Sequence, residues 1–494
     1  MVRSTVIVMG QGVVAAGHDL TVDAGAAVLR EGGNAVDAAI AAISMACLCE
    51  PVLSSPGGGA FAMVRDGTDG SVHLLDAFVQ TPRRRVTTLD DGEHLVYADF
   101  GTTRQAFRIG PATTATPGLS DGLAELGRRF GSMPTDALVA AAVAASRAGI
   151  SVTPFQHHLF TVVAPILTAT PAARELFAPG GALLRPGATY RNPGLGDALE
   201  LLAANGLRSS DVGAAVVEKQ RGRGHVSADD LDRYSVVWRT PVTVELADAR
   251  VHLNPLPSAG GTLVHHTLEQ LTANDETELA AALAATADAR RLTEHDLTAL
   301  HTPSIRRRGT THVSVIDADG TACSITVSNG EGNGELVDGF GFMLNNILGE
   351  DDVNPDHGDW PVDRRLSSMM CPTIIEHPDG AVTALGSGGS SRIRSAISRV
   401  VAALCLDRHD LTSAIAAPRI HAELDGTGAI HLDVEPGLDS TAEERLLMAF
   451  ADHRRWPEPD LYFGGVHAVR RSADGRLDGV GDPRRSGAAT VVDS

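Results

Sequence analysis

Residues 310–328 constrain the fold of this chain more than any other segment of its sequence. They read TTHVSVIDADGTACSITVS, two runs rich in β-branched residues on either side of an Asp-Gly pair. Such a pair favours a tight turn between two antiparallel strands. With Asp-Gly as a two-residue turn, Thr310 would face Asn329 and Thr311 would face Ser328. A four-residue turn would shift the register by two and would still bring these hydroxyl and amide groups together at the open end of the hairpin.

The composition of the 494-residue chain excludes several classes of protein. Hydrophobic residues make up 43% and charged residues 21%, as in ordinary globular proteins, so the chain is neither disordered nor collagen-like. The longest apolar run, residues 35–49, is interrupted by Asp37 and Ser44 and is too short to cross a bilayer. The formal charge of −20 repels phosphate backbones. We therefore expect neither a membrane partner nor a nucleic-acid partner.

Cysteine usage and the N-terminal segment predict a cytoplasmic protein. The five cysteines are odd in number and lack zinc-ligand spacing, so we expect them to be reduced and buried. Residues 1–17 contain one arginine and no long apolar stretch, and they do not resemble a secretion signal. Adjacent histidines at 157–158 and 265–266 lack the spacing of a metal-ligand set. We expect no metal and no other cofactor.

Helical and strand patterns follow each other along the whole chain. Helical patterns begin near His18 and Asn34 and dominate residues 118–207, whereas strand patterns occur at 60–65, 236–247 and 250–254. No internal repeat and no linker rich in Pro, Ser and Gly separates them. This organisation predicts one large layered domain that contains helices and strands.

Thr310 heads the predicted hairpin, where its hydroxyl could act as a nucleophile. A threonine hydroxyl is a weak nucleophile at neutral pH, but a free α-amino group on the same residue, with a pKa of about 8, can serve as its general base. Freeing that amine requires cleavage of the bond before Thr310, and the preceding Gly309 has no side chain to block attack on its carbonyl. Taken alone, Gly-Thr-Thr is more typical of a strand that begins after a loop.

The wider pattern resembles the gamma-glutamyltransferase (gamma-glutamyltranspeptidase) family of N-terminal-nucleophile hydrolases over nearly the whole chain. Several blocks follow each other in the family's order. They are residues 32–39, 56–61, 116–118, 257–261, 310–312, 343–346, 366–369, 372–373, 386–393, 464–468 and 481–485. The resemblance implies an α+β fold, a four-layer αββα sandwich built as a single large domain.

The same resemblance implies a proenzyme that cleaves itself before Thr310. The products would be a large subunit of residues 1–309 and a small subunit of residues 310–494. Thr310 would then take the acyl group, with its freed amine as the base. Ser328 matches a threonine whose hydroxyl supports the nucleophile. Gly389 and Ser390 match the pair whose backbone N–H groups form the oxyanion hole, with Gly388 as an alternative.

Further residues are implied to bind the substrate. Ser367 and Ser368 match the serine pair that binds the donor's carboxylate. Asn329 matches the donor-binding asparagine after a one-residue gap, and Glu350 or Asp351 would bind a substrate amine. The partners implied are a small amide, water or an amine as acceptor, and the two subunits of one precursor. A homodimer or a higher oligomer stays open.

One departure from the family concerns the acyl donor. Where the family has an Arg–Glu pair that clamps the γ-glutamyl α-carboxylate, this sequence has Phe78 and Val79. A bidentate arginine is hard to replace at such a site. Counting back from Pro372 also puts Met369 in the place of one serine. The candidate cations to replace the clamp are Arg83, Arg84, Arg85, Arg104 and Arg392.

The sequence thus predicts a self-cleaved threonine amidohydrolase or acyltransferase related to the enzymes of glutathione metabolism. It would form an acyl-enzyme from a γ-glutamyl or similar small acidic amide and pass the acyl group to water or an amine. One alternative is an amidase for another acyl group, such as oxamate or a β-lactam side chain. A second alternative is an uncleaved, inactive homologue that acts as a binding protein.

Overall fold

The computed structural model describes residues 10–99, 104–292, 309–350, 359–424 and 427–493. The strands are β1 (Gly10–Ala16), β2 (Gly59–Arg65), β3 (Val72–Ala77), β4 (His94–Asp99), β5 (Arg104–Ile109), β6 (Ile150–Ser151), β7 (Thr189–Tyr190), β8 (Val237–Arg239), β9 (Val242–Leu246), β10 (Ala249–Leu253), β11 (Thr310–Asp317), β12 (Ala322–Ser328), β13 (Thr373–Glu376), β14 (Val382–Gly388), β15 (Ile420–Leu424), β16 (Ile430–Val434), β17 (His453–Arg455), β18 (Gly465–Arg471), β19 (Leu477–Val480) and β20 (Ala488–Asp493).

The helices alternate with these strands along the chain. They are α1 (Asp19–Arg30), α2 (Ala35–Cys49), α3 (Leu119–Phe130), α4 (Thr135–Ala148), α5 (Pro154–Val162), α6 (Ala164–Leu167), α7 (Pro171–Phe177), α8 (Pro193–Leu202), α9 (Asp211–Gln220), α10 (Ala228–Arg233), α11 (Ala259–Leu268), α12 (Glu276–Leu292), α13 (Arg392–Cys405), α14 (Leu411–Ala416) and α15 (Ser440–Ala449).

Two antiparallel sheets pack face to face at the centre of the molecule. Their strand orders are β20–β1–β11–β12–β2–β3–β8 and β19–β18–β14–β13–β10–β9. Strands β11 and β12 pack on β14, and β11 also packs on β18. Helices α1 and α2 cover the outer face of the first sheet, while α11 and α13 cover the second. Apolar side chains fill all three interfaces between layers. The αββα sandwich expected from the sequence is confirmed.

Helix α2 shows why the sequence folds in layers. Asn34 caps it by accepting hydrogen bonds from the N–H groups of Val36 and Asp37 at 2.9 and 3.0 Å, and the Asp37 carboxylate accepts one from the Asn34 N–H at 3.0 Å. This is a capping box. Every residue of the helix is buried, because its many alanines let α1, α4 and the first sheet approach closely. The helical pattern predicted to begin near Asn34 is confirmed.

The hairpin of β11 and β12 forms, but its register differs from the prediction by one residue. Thr310 pairs with Ser328 rather than with Asn329. The turn has three residues, because the Asp317 N–H bonds to the Thr321 carbonyl at 3.0 Å and Gly320 adopts a left-handed φ of +86°. A type I turn followed by a left-handed glycine is the usual three-residue connection. The two-residue turn was therefore wrong.

The cysteines are buried and unpaired, as the sequence predicts. Burial raises the thiol pKa of Cys47 and of Cys323 to about 12, so these thiols stay protonated and unreactive. Across the described ranges, no helix combines the length and the hydropathy needed to traverse a bilayer.

Candidate active site

Thr310 is the first residue of β11 and lies where the two sheets meet at one end of the sandwich. Side chains alternate along a strand. Thr311 points to the helical layer, where its Oγ1 meets Glu50 at 2.9 Å. His312 points to the second sheet, and a Cβ added at Gly386 would lie 2.3 Å from its ring. Thr310 therefore faces the second sheet, and it is only 5% exposed.

The peptide bond between Gly309 and Thr310 is tightly enclosed. Ser328 lies opposite Thr310 in the ladder, and its Oγ donates a hydrogen bond to the Gly309 carbonyl at 2.7 Å. The same Oγ accepts a hydrogen bond from the Gly330 N–H at 3.2 Å. A Cβ on Gly309 would lie 2.2 Å from the Gly330 carbonyl oxygen and 2.6 Å from that of Val52. Only glycine is accommodated here without displacement of the backbone.

The turn after β14 presents unused backbone donors beside Thr310. A Cβ on Gly388 would lie 2.2 Å from the Thr310 carbonyl oxygen, so the two backbones are in contact. Gly389 and Ser390 follow with φ values of +130° and +57°. In the described part of the chain neither of their N–H groups donates a hydrogen bond. Helix α13 begins at Arg392, and its N-terminal dipole adds positive potential at this turn. Free N–H groups in this setting can hold an oxyanion.

Glu50 lies beside β11, and the sequence analysis did not identify it. Its carboxyl accepts hydrogen bonds from Thr311 Oγ1 at 2.9 Å and from Thr21 Oγ1 at 3.5 Å. Burial raises its pKa to about 7, against the opposing effects of these bonds and of the positive charge of Arg485. The sequence offers one signal for Glu50, because this carboxylate directly follows the long apolar helix α2.

Arg485 approaches Thr310 from the C-terminal segment. Its Nη1 donates to the Thr310 carbonyl at 3.4 Å, and its Nη2 donates to the Leu461 carbonyl at 3.3 Å. Burial lowers the pKa of this guanidinium to about 10. The sequence pointed to this residue only as part of a family block and gave it no role.

Two of the predicted binding residues lie at the same end of the hairpin. Asn329 is completely buried, its Nδ2 donates to the Met343 carbonyl at 3.4 Å, and its Oδ1 has no partner among the described residues. Glu350 is also buried. A Cβ on Gly330 would lie 2.7 Å from its Oε1, so Glu350 is close to the residue that bonds Ser328. Asp351 lies outside the described residues.

The serine pair lies at the start of helix α11. Ser367 Oγ accepts a hydrogen bond from the Ala259 N–H at 3.3 Å, and Ser368 Oγ accepts one from the Met370 N–H at 3.1 Å. Within the described ranges, no hydrogen bond joins either serine to Thr310. Both serines are half-buried, so the structure leaves them partly accessible without linking them to the nucleophile.

Phe78 is built into the core rather than presented to solvent. It is 2% exposed, and its ring stacks on Phe61 with the centroids 5.4 Å apart. The Phe78 carbonyl accepts hydrogen bonds from Tyr234 Oη, at 2.8 Å, and from Arg365. Arg365 also lies 3.3 Å from the buried carboxylate of Asp76. At the position of the family's clamping arginine, Phe78 packs in the core. The nearby Arg365 binds the Phe78 carbonyl and the Asp76 carboxylate, so it is already engaged.

The arginines suggested as replacements for the clamp are mostly engaged elsewhere. Arg83 pairs with Asp363 at 2.8 Å, and Arg85 pairs with Asp359. Arg392 lies over the ring of Tyr462, 4.7 Å from its centroid. The remaining two are Arg84, which is exposed, and Arg104, which begins β5.

Comparison with known proteins places these features in a family. The family model described as Gamma-glutamyltranspeptidase matches residues 21–298 and 264–492. The chain belongs to the gamma-glutamyltranspeptidase family. The glutathione hydrolase proenzyme of Pseudomonas aeruginosa is 26% identical over 547 aligned positions, which cover 97% of this chain and 94% of that protein.

Other members of the gamma-glutamyltranspeptidase family carry a different name. The acylase ACY 1 proenzyme of a Pseudomonas species is 26% identical over 533 aligned positions, covering 98% of this chain and 94% of that protein. The crystal structure of cephalosporin acylase from Bacillus halodurans superposes with a TM-score of 0.82 at 21% identity, covering 100% of this chain and 97% of that one. The last comparison confirms the fold.

Membership of the gamma-glutamyltranspeptidase family makes this chain an enzyme of the N-terminal-nucleophile type that acts on amide bonds. The family and the enzyme class predicted from the sequence are confirmed. Its relatives are named for glutathione and for acylase activity alike. The family therefore fixes the type of reaction and leaves the acyl group undecided.

Proposed function

We propose that the chain cleaves itself between Gly309 and Thr310 and that Thr310 is then the nucleophile of an amidohydrolase or acyltransferase. The observation that carries this proposal is the 2.7 Å hydrogen bond from Ser328 Oγ to the Gly309 carbonyl. This hydrogen bond polarises the Gly309–Thr310 peptide bond. Thr310 is the first residue of β11, a buried strand in the middle of the first sheet.

In the self-cleavage step, the Thr310 hydroxyl adds to the carbonyl carbon of Gly309. Ser328 stabilises the negative charge that develops on the carbonyl oxygen. The C–N bond breaks, the nitrogen keeps the electron pair and takes up a proton, and an ester joins Gly309 to Thr310 Oγ. Water then hydrolyses this ester. The products are residues 1–309 and residues 310–494, which begins with a free amine.

In turnover, that amine accepts the proton of the Thr310 hydroxyl as the hydroxyl attacks the substrate amide. The N–H groups of Gly389 and Ser390 hold the oxyanion, and each such donor typically contributes about 2.7–4 kcal/mol. The leaving amine takes the proton and departs. Water or a second amine then removes the acyl group from Thr310.

The acyl donor we favour is a γ-glutamyl or similar small acidic amide. Asn329 and Glu350 support it, because both lie beside Ser328 and offer an amide oxygen and a carboxylate to a substrate amine. Ser367 and Ser368 supply hydroxyls for a carboxylate. The second candidate is a non-glutamyl acyl group, and the burial of Phe78 against Phe61 favours it, since no arginine stands in the clamp position.

Intact-mass analysis and a denaturing gel of the purified protein test the cleavage. We expect two fragments, the smaller one beginning at Thr310. A single chain of full length would overturn the proposal and favour an inactive binding homologue. Incubation of the cleaved protein with a panel of acyl anilides, with product identification by mass spectrometry, decides between γ-glutamyl and other acyl groups.

A further inference from the structure

Arg485 is a buried cation without a counter-ion. The residue is only 7% exposed, yet no described carboxylate lies within ion-pairing distance. Its two hydrogen bonds to described residues, the carbonyls of Thr310 and Leu461, are long at 3.4 and 3.3 Å, and its Nε has no partner among those residues. Burying an arginine in this way is unfavourable unless an anion completes the site.

Three other arginines with buried side chains each pair with a carboxylate. The pairs are Arg399 with Glu276 at 2.8 Å, Arg419 with Asp482 at 2.8 Å and Arg484 with Glu435 at 2.6 Å. Arg485, which touches Thr310, has no comparable pair among the described residues. This distribution points to a ligand rather than to a structural need.

The guanidinium of Arg485 lies against the turn that follows β14. A Cβ on Gly388 would lie 3.1 Å from Nη1, and one on Gly389 would lie 3.5 Å from Nη2. Because both positions are glycine, only backbone separates the cation from the turn that carries the proposed oxyanion hole. The guanidinium therefore lies next to both the backbone of Thr310 and the proposed oxyanion hole.

Four charged groups act on Arg485 from the surrounding elements. Arg392, at the start of α13, repels it, while Asp482, Glu50 and Asp460 attract it. Asp482 already pairs with Arg419 and Arg484, and Glu50 is bonded to two threonines. None of these carboxylates neutralises the guanidinium by direct contact, so its positive potential remains directed at the site.

We propose that Arg485 is a substrate-binding residue that selects acyl donors carrying a carboxylate on the acyl chain, and that it binds this carboxylate beside Thr310. The proposal rests on the proposed function and names its substrate class, amides of short dicarboxylic acids. A guanidinium suits a carboxylate because it offers several donors in a planar fork. Arg485 would thereby provide the anion recognition that Phe78 does not.

The first test compares two anilides that differ only in charge, glutaryl-4-nitroanilide and valeryl-4-nitroanilide. For the cleaved wild-type enzyme we expect kcat/KM to favour the glutaryl substrate by about 10- to 100-fold, the range of a hydrogen bond to a charged group. In Arg485→Gln, the ratio of kcat/KM for the glutaryl substrate to kcat/KM for the valeryl substrate falls by a similar factor. Arg485→Lys restores part of the preference.

The control is Arg147→Gln, because Arg147 is exposed and pairs with Glu200 far from Thr310 along the chain. It removes one positive charge and should leave the preference intact. An equal loss for both substrates in Arg485→Gln would overturn the proposal, since it would mean that Arg485 only positions Thr310. A wild-type enzyme without preference for the glutaryl substrate would overturn it as well.

A binding measurement keeps the proposal testable if Arg485→Gln does not fold. Titration calorimetry of the cleaved wild-type enzyme should show that glutarate binds at least 10-fold more tightly than glutaramide, its uncharged analogue. Equal affinities would contradict the proposal. Failure of the proposed function looks different, because the wild-type chain would then remain uncleaved on the denaturing gel.

Discussion

Arg484 and Arg485 are neighbours in the sequence, but their side chains have different partners in the structure. Arg484 bonds both Glu435 oxygens at 2.7 and 2.6 Å and reaches Asp482 at 3.3 Å. Burial alone would lower the pKa of Arg484, but these carboxylates outweigh it and raise the pKa above its ordinary value. Arg485 has no such partner, and burial lowers its pKa to about 10.

The difference separates a region of paired charges, which holds the fold together, from the region around Thr310. Around Arg484 every charge is paired, which ties β18 and the segment after β19 to α14 and β15. Around Thr310 several polar groups are left over, namely the Arg485 guanidinium, the Asn329 Oδ1 and the N–H groups of Gly389 and Ser390. Unused buried donors and acceptors are costly, so the groups left over beside Thr310 fit the proposal that a substrate supplies their partners.

The largest expected effect comes from removing the hydroxyl at the centre of the unpaired region. Thr310→Ala should leave one intact chain and abolish turnover, because neither the acyl shift nor the acyl-enzyme can form. Thr310→Ser keeps the hydroxyl and should still cleave. Normal cleavage of Thr310→Ala on a denaturing gel would refute the nucleophile assignment.

Ser328→Ala probes the group that polarises the scissile peptide. Loss of one donor to a developing oxyanion slows a reaction by about 10²- to 10³-fold, and we expect self-cleavage to slow by this factor in a gel time course. The matched control is Ser324→Ala on the same strand, whose Oγ donates to the Leu385 carbonyl at 2.8 Å. If both variants cleave at the wild-type rate, Ser328 has no part in the step.

Replacing Arg484 and replacing Arg485 should change the free energy of unfolding by different amounts. In the uncleaved Thr310→Ala background, Arg484→Met leaves Glu435 and part of Asp482 buried without their partner, which lowers the free energy of unfolding by about 3–5 kcal/mol. Arg485→Met removes a buried charge that has no partner and should change it by less than about 1 kcal/mol. Denaturant titration measures both. Equal losses would show that the two arginines share a structural role.

The smallest effect concerns the pH dependence of anion binding. Glu50 has a pKa of about 7 through burial, so it is neutral at pH 6 and negative at pH 8. Its negative charge offsets the field of Arg485, and KM for the glutaryl substrate should therefore rise a few-fold between these pH values. Glu50→Gln should abolish the rise and keep KM at its low-pH value. Persistence of the rise in this variant would assign it to another group.

Local chemistry explains why much of the fold was predictable. Asn34 followed three residues later by Asp37 specifies the start of α2, and its alanines specify burial. The register of the β11–β12 hairpin was missed by one residue because Asp-Gly is compatible with two- and three-residue turns. Asp317 decides between them by accepting hydrogen bonds from the N–H groups of Ala35 and Thr321, both at 2.9 Å.

Some residues of the candidate site could be predicted from the sequence, and others could not. Thr310 and Ser328 were found because a single hairpin brings them together. Glu50 and Arg485 were missed because their contacts with this strand join residues 261 and 175 positions apart in the sequence. No local pattern distinguishes an arginine that will be paired from its neighbour that will not.

The sequence by itself determined the family, the layered architecture and the Gly-Thr junction at the head of a strand, because these follow from motifs, periodicity and turn chemistry within short segments. Only the tertiary structure decided the hairpin register, the burial of Phe78 and the isolation of Arg485. These depend on which side chains meet when the layers stack, and the energy of a buried charge is set by the groups that surround it in space.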